Sequence, residues 1–215
     1  MIAQINTIIF DWDLTLWNSW DTHLWLLDRT ADALEVPRPQ QADVARSYST
    51  PFLEHLAWFF PRDQKRAVDT YLAFYHQIVS SMPDLYPGVL QAIRQLKNQG
   101  YRVGIFSDKR HAFGAPELQQ TEIAALVDHS LFLLDGRPYK PDPQGLHQVL
   151  NALGVEASRA LYVGDTGDDM ECARRAGVSS GAALWGSLDR GKLVATKPDF
   201  QWDRPDEIVA SLSGS

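Results

Sequence analysis

The sequence predicts an α/β protein: a Rossmann-like parallel five-stranded core sheet with an inserted α-helical cap domain. Three observations lead there. Five apolar runs rich in branched residues each stop at polar or small residues, and helix-period segments separate them. The alternation fails once, over a stretch long enough to be a separate helical unit.

Taken in order, the first strand is expected over Ile5 to Phe10, where the apolar run breaks at Asp11. From Trp17 to Met82 no β-rich run appears. Helical patterns over Trp20 to Leu34, Gln41 to Trp58 and Arg62 to Ser81 follow one another instead, divided by Pro37, Pro39 and Pro61. A strandless stretch of that size is too long for a loop. Residues 18–82 are therefore expected to form the cap, and residues 1–17 with 83–215 the core domain. Its aromatic residues Trp20, Trp25, Trp58, Phe59, Phe60, Tyr71, Phe74 and Tyr75 are expected to serve mostly as core, since several recur at helical spacing.

The chain re-enters the sheet pattern at Leu85-Tyr86-Pro87-Gly88. A helix carrying Val89, Ile93 and Leu96 ends near Gly100, and a second strand spans Arg102 to Phe106. A helix over Ala115 to Leu126 leads to a strand over Ser130 to Leu134, and a helix over Gln144 to Leu153 leads to a strand over Ala160 to Val163. The last pair is a helix over Asp169 to Ala176, closed by Gly177, and a strand over Gly181 to Trp185. Trp185-Gly186 is expected to mark a tight turn at the domain edge.

Composition narrows the function classes. Of 215 residues, 45% are hydrophobic and 22% charged, as in ordinary globular proteins, and no apolar stretch is long enough to span a bilayer. The start Met1-Ile2-Ala3-Gln4 has no basic n-region, so a cytoplasmic protein is expected. A net charge of -7 with scattered Lys and Arg argues against nucleic-acid binding. The single cysteine, Cys172, is expected to be a buried small hydrophobe without disulfide or metal partners. No dinucleotide or Walker motif indicates a nucleotide cofactor.

The informative segment is Ile8-Ile9-Phe10-Asp11-Trp12-Asp13-Leu14-Thr15, a buried-type strand ending in two carboxylates. In an open α/β sheet, ligands sit at the carboxyl ends of strands, so acids emerging there line the crevice. Later strands end in matching groups: Ser107 after Phe106, Lys140 in Tyr139-Lys140-Pro141-Asp142-Pro143, and Asp165 and Asp169 after Gly164. Carboxylates from distant segments meeting at one crevice repel strongly without a cation among them, and hard oxygen ligands favour magnesium. A hydroxyl and an ammonium complete a phosphate cradle.

These residues resemble the four motifs of the haloacid dehalogenase superfamily, in its phosphoglycolate-phosphatase-like branch. The resemblance covers nearly the whole chain: Asp11-x-Asp13-x-Thr15, the helical insertion, Tyr86-Pro87-Gly88-Val89, Ser107-Asp108-Lys109, Lys140-Pro141-Asp142-Pro143 and Gly164-Asp165-Thr166-x-x-Asp169. It implies a Mg2+-dependent phosphatase acting on small phosphorylated metabolites through an aspartyl-phosphate. Asp11 would be the nucleophile, Asp13 the general acid and base, and Thr15 the residue fixing the turn that presents Asp13. Ser107, Asp108 and Lys140 would form the phosphate-facing set, and Asp11, Asp13 through its carbonyl, Asp165 and Asp169 the metal set. By position, Arg46, Ser49, Thr50 and Phe52 are the cap residues the resemblance assigns to substrate.

Three positions depart from the common pattern: Leu14 stands where glycine is usual, Asn18 where aspartate is frequent, and Asp108 where asparagine is frequent. His111 is expected to be a solvated loop histidine, while Lys109 and Arg110 are balanced between solvent and a second anionic group on the substrate. A phosphomutase and a non-enzymatic phospho-acceptor module are the alternatives. Phosphoglycolate, sugar phosphates, nucleoside monophosphates and pyrophosphate all stay open as substrates, as does the oligomeric state.

Overall fold

The computed structural model describes residues 5–48, 50–81 and 85–212. It divides into two compact units, Met1–Asn18 with Asp84–Ser215, and Ser19–Pro83.

In the first unit, six parallel strands are ordered β3-β2-β1-β4-β5-β6. They are β1 (Thr7–Phe10), β2 (Arg102–Arg110), β3 (His129–Leu133), β4 (Ala160–Gly164), β5 (Ser179–Ala183) and β6 (Phe200–Trp202). Numbering helices along the whole chain, α5 (Val89–Asn98), α6 (His111–Gln119), α7 (Gln144–Leu153), α8 (Gly167–Ala176), α9 (Arg190–Ala195) and α10 (Asp206–Leu212) belong to this unit. The central strand β1 is buried along its whole length, which is why it reads as an unbroken apolar run. Helix α7 buries Leu146, Val149, Leu150 and Leu153 against Ile9, Phe106 and Tyr162, the spacing of one helical face.

Register positions the site. Phe10 pairs with Ile105 on one side and Val163 on the other, so the residues that follow in β1, β2 and β4 emerge at one edge. Beyond Phe106, β2 runs on to Arg110 through a register shift against β3. The expected strand stopped at Phe106. An irregularity of this kind re-aims side chains, and it carries Ser107, Asp108 and Lys109.

Other boundaries move for local reasons. The expected helix over Ala115 to Leu126 is α6 followed by a separate 3-10 turn, Glu122–Ala125. Thr121 separates them, its hydroxyl donating to the Leu118 carbonyl at 2.7 Å. The sixth strand went unforeseen because three residues are too short to show a period. Asp199 holds it in place by accepting from the Ser180 amide at 2.8 Å and the Ser180 hydroxyl at 2.9 Å. Trp185 lies in a turn, as expected, and its Nε1 also donates to the Thr15 carbonyl at 2.9 Å. Cys172 is buried. Leu14 adopts the left-handed conformation, φ 58°, with a buried side chain. That conformation costs about 1–2 kcal/mol, and burying a leucine contributes about 1.5–3 kcal/mol, so burial offsets the strain that glycine would avoid.

The second unit holds α1 (Trp20–Leu34), α2 (Gln41–Ser47), α3 (Phe52–Phe59) and α4 (Gln64–Ile78). The single helix expected over Gln41 to Trp58 is two helices, because Thr50 closes a turn on the Ser47 carbonyl and Pro51 bars continuation. The aromatic residues are less buried than expected. Phe60, Tyr71 and Tyr75 are buried, but Trp58 is 72% exposed. Arg46 is exposed and pairs with Asp43, and Phe52 stacks edge-on against Tyr71. Ser49 lies outside the described residues. Among the described residues, no helix is long and apolar enough to cross a membrane.

A histidine pair joins α1, α3 and α4. His23 Nε2 lies 2.9 Å from His55 Nε2, His23 Nδ1 lies 2.8 Å from the Tyr71 hydroxyl, and His55 Nδ1 lies 2.9 Å from the Ser47 carbonyl oxygen. A carbonyl only accepts, so His55 Nδ1 carries hydrogen and its neutral ring offers a bare Nε2 to the His23 N–H. Burial holds His55 below its ordinary value of 6.5, against the pull of that carbonyl.

The neutral ring is thus favoured in the folded state, and that stability is complete above pH 6.5 and declines as pH falls below it. Thermal melts from pH 8 to pH 5 are expected to show a steeper loss for the wild type than for His55→Gln, by no more than about 1.4 kcal/mol per pH unit. Parallel curves would contradict it.

Candidate active site

Asp11 begins the turn that leaves β1, and its amide donates to the Val163 carbonyl at 2.9 Å, which pins the turn to β4. Next, the Trp12 carbonyl accepts from the amides of Leu16 at 2.9 Å and Trp17 at 2.8 Å. This closes the chain into a tight knot with Asp13 on it. Gly186 packs against the same knot: a Cβ there would lie 1.6 Å from the Leu14 carbonyl oxygen, so only glycine fits.

Asp11, Asp165 and Asp169 each present an oxygen within 4.8 Å of the others, and all three are buried. Asp165 follows β4, and its Oδ1 accepts from the Thr15 hydroxyl at 3.0 Å. Thr15 therefore does more than shape its own turn, because it ties the knot to the end of β4. Asp169 sits in the first turn of α8 and forms a reciprocal cap with Thr166. Its Oδ2 accepts from the Thr166 amide at 3.0 Å and hydroxyl at 2.6 Å, while Oδ1 lies 2.6 Å from Lys140 Nζ and 3.1 Å from the Tyr162 hydroxyl. Gly164 permits this approach, since a Cβ there would lie 2.3 Å from Asp169 Cγ.

Lys140 is the ammonium among these acids, 3.1 Å from Asp11 Oδ2 and 2.6 Å from Asp169 Oδ1. Burial would lower it, but the charges of Asp11 and Asp169 hold it well above the usual lysine range. For Asp169, burial is outweighed by Lys140 and the Thr166 hydrogen bonds, so the carboxyl lies below its usual range. Asp165 moves the other way: burial and the neighbouring acids push it well above its usual range. Burial pushes Asp11 from 3.8 up to about 7, against Lys140 and a hydrogen bond from Ser107.

Asp11 Oδ1 is buried without a hydrogen-bond partner. An orphaned carboxylate oxygen beside a second acid is a site for a hard cation, and the residues present fit a divalent one. Asp169 has both oxygens occupied by hydrogen-bond donors, which suits it to orient the cluster.

The structure thus gathers Asp11, Ser107, Lys140, Asp165 and Asp169. Asp13 stands two residues on from Asp11, paired with Lys109 and with its side chain 23% exposed. Asp108, expected on the phosphate-facing side, has another engagement. Its oxygens accept from Arg137 Nη2 at 3.0 Å and the Lys140 amide at 2.8 Å, so it braces the segment carrying Lys140. Two residues on this face, Arg137 and Glu117, were missed, and Lys109 has a partner other than those weighed for it. The Arg137 side chain is only 6% exposed; it donates to the Ser107 carbonyl at 2.8 Å and stacks over Phe106. Lys109 is not solvated but pairs with Asp13 and Glu117, and Glu117 itself is fully buried. A buried carboxylate inside a helix leaves no periodic trace in sequence. His111, by contrast, is exposed at the start of α6.

The model of the haloacid dehalogenase-like hydrolase family matches residues 8–183. Pyrophosphatase PpaX from Bacillus cereus (strain B4264) is 27% identical over 210 residues, covering 98% of this chain and 97% of that protein. Among solved structures, a predicted phosphoglycolate phosphatase from Haemophilus somnus 129PT superposes with a TM-score of 0.88 at 22% identity, covering 98% of this chain and 99% of the other. A haloacid dehalogenase-like family hydrolase from Streptococcus pneumoniae gives 0.86 at 24% identity, covering 97% and 98%. These two likenesses concern the fold.

The raised Asp11 carboxyl has a stability consequence in metal-free protein. Its penalty is absent below pH 3.8 and grows until pH reaches about 7. In a chelator, Asp11→Asn is expected to melt above the wild type at pH 8, with the gap narrowing toward pH 4. A gap that stays constant or widens on acidification would contradict it.

Proposed function

The chain belongs to the haloacid dehalogenase-like hydrolase family, and from that premise we propose that it is a magnesium-dependent phosphatase hydrolysing small organic phosphate monoesters through a phosphorylated Asp11. The observation that carries this reading is the unpartnered Asp11 Oδ1, buried beside Asp165 with Lys140 3.1 Å from the other oxygen. A buried carboxylate with one oxygen open to a cation, and the other beside an ammonium that can hold a phosphoryl group, is placed to act as a nucleophile through that second oxygen.

In the first half-reaction, an Asp11 oxygen bonds to phosphorus as the bond to the leaving oxygen breaks. The leaving oxygen keeps that electron pair and takes the proton of the Asp13 carboxylic acid. In the second, Asp13 as carboxylate accepts a proton from water, whose oxygen bonds to phosphorus while the bond to Asp11 breaks. Alcohol and inorganic phosphate leave, and Asp11 is regenerated. Ser107 and Lys140 hold the non-bridging oxygens, and Arg137 and Asp108 keep their segments in place.

Asp11, Asp165 and the Asp13 carbonyl would hold Mg2+, with Asp169 orienting the group through Lys140 and Thr166. When bound, the cation supplies charge neutralisation to the transferring phosphoryl group. A relative carries the name pyrophosphatase, so pyrophosphate belongs in a substrate panel beside sugar, nucleoside and glycolate esters.

Asp11→Asn is expected to lower Mg2+-dependent phosphate release from p-nitrophenyl phosphate at least 10³-fold, a scale set by loss of a nucleophile; retention of wild-type turnover would remove the covalent mechanism. Because Asp11 rises to about 7 without the cation, a proton must leave for Mg2+ to bind. Calorimetry should therefore find affinity weakening as pH falls through 7, with proton release. Affinity constant from pH 8 to pH 5.5 would count against Asp11 as a ligand.

A further inference from the structure

Asp13, unlike Asp11, is held by a chain of contacts leading out of the carboxylate cluster. Its Oδ1 accepts from Lys109 Nζ at 2.9 Å, and the same ammonium lies 2.9 Å from Glu117 Oε1. Glu117 Oε2 accepts from Trp12 Nε1 at 2.7 Å. Trp12 is fully buried, stacked on Trp17 at 5.5 Å and edge-on to Phe132 at 5.9 Å. The chain therefore starts at a fixed indole and ends at the carboxylate of the very next residue in sequence.

Packing alone does not account for this arrangement. A carboxylate buried in α6 loses its hydration, a cost its partners must offset, and an apolar residue of that size would fill the space. Lysine is a long side chain with many rotamers to lose, so a single partially exposed carboxylate would hold its ammonium loosely. With Glu117 behind it, Lys109 has two anchors and only 14% of its side chain exposed. Burial pushes the ammonium down, but the charges of Asp13 and Glu117 prevail and hold it above the usual lysine range.

We propose that Glu117 and Lys109 are positioning residues for proton transfer: Glu117 fixes the Lys109 ammonium, and Lys109 holds the Asp13 carboxyl group where it hands its proton to the leaving oxygen. This rests on the phosphatase reading, in which Asp13 is the acid. In that step the Asp13 O–H bond breaks as the leaving oxygen gains the electron pair of its bond to phosphorus. Lys109 and Glu117 neither gain nor lose a proton.

A leaving group that departs without a proton separates this role from a structural one. Values of kcat/KM, which end at phosphoryl transfer, are compared for ethyl phosphate and p-nitrophenyl phosphate, both with MgCl2. The variants are Lys109→Met, Glu117→Gln and their double. In the double variant neither buried charge is left alone, so it keeps the test open if a single variant fails to fold by circular dichroism. Each folded variant is expected to lose about 10- to 100-fold on ethyl phosphate, part of the 10²–10⁴ that a general acid supplies, and less than about 3-fold on the aryl ester. Equal losses on both esters, or no loss on either, would overturn the positioning role. Asp13→Asn is measured alongside: if it shows the selective loss and the other variants do not, this inference fails and the phosphatase reading stands. If Asp13→Asn itself is unselective, the reading of Asp13 as acid fails.

Discussion

Three buried carboxylates within 4.8 Å of one another, compensated by the single ammonium of Lys140, set the terms for this face of the sheet. At an effective dielectric of about 20, each like-charged pair costs about 3.5 kcal/mol at that separation, before desolvation. Lys140 offsets part of this through Asp11 and Asp169, and Thr15 and Thr166 donate to Asp165 and Asp169. What is left falls on Asp11 and Asp165, the two acids whose carboxyl groups burial raises. Neighbouring features follow from this imbalance: glycine at 164 to admit Asp169, and Asp108 with Arg137 to fix the segment that delivers Lys140.

Parallel register is what lets distant residues meet. With Phe10 level with Ile105 and Val163, the residues after three buried strands are delivered to one edge, and the pairing of backbone groups sets their relative height. This explains why so much was legible in sequence. Asp11, Ser107 and Asp165 each follow a short apolar run with the character of a buried strand, and a polar or charged residue there is costly unless it faces a crevice. The helix over Gln144 to Leu153 was equally plain, because the buried side chains of Leu146, Val149, Leu150 and Leu153 repeat on one face.

What escaped the sequence has physical reasons too. Glu117 lies in a short helix that also contains Pro116, and nothing in its neighbours distinguishes a buried glutamate from a solvated one. Lys109 looked as suited to solvent as to a ligand until the register shift in β2 turned it toward Asp13. The sixth strand depends on Asp199 reaching across to Ser180, a contact between residues 19 apart in sequence. In the helical unit, Trp58 carries an apolar signal yet stands exposed, so aromatic content overstated the core there. Periodicity reports which face of an element is buried, whereas pairing between charged groups must be seen in three dimensions.

The claim beneath the proposed chemistry is that the open oxygen of Asp11 and the carboxylate of Asp165 are completed by one divalent cation. Anomalous diffraction from crystals soaked in Mn2+, which takes the oxygen ligands that Mg2+ prefers, tests it most directly. One strong peak in contact with both carboxylates is the predicted result. A peak elsewhere in the chain, with none between Asp11 and Asp165, would contradict it.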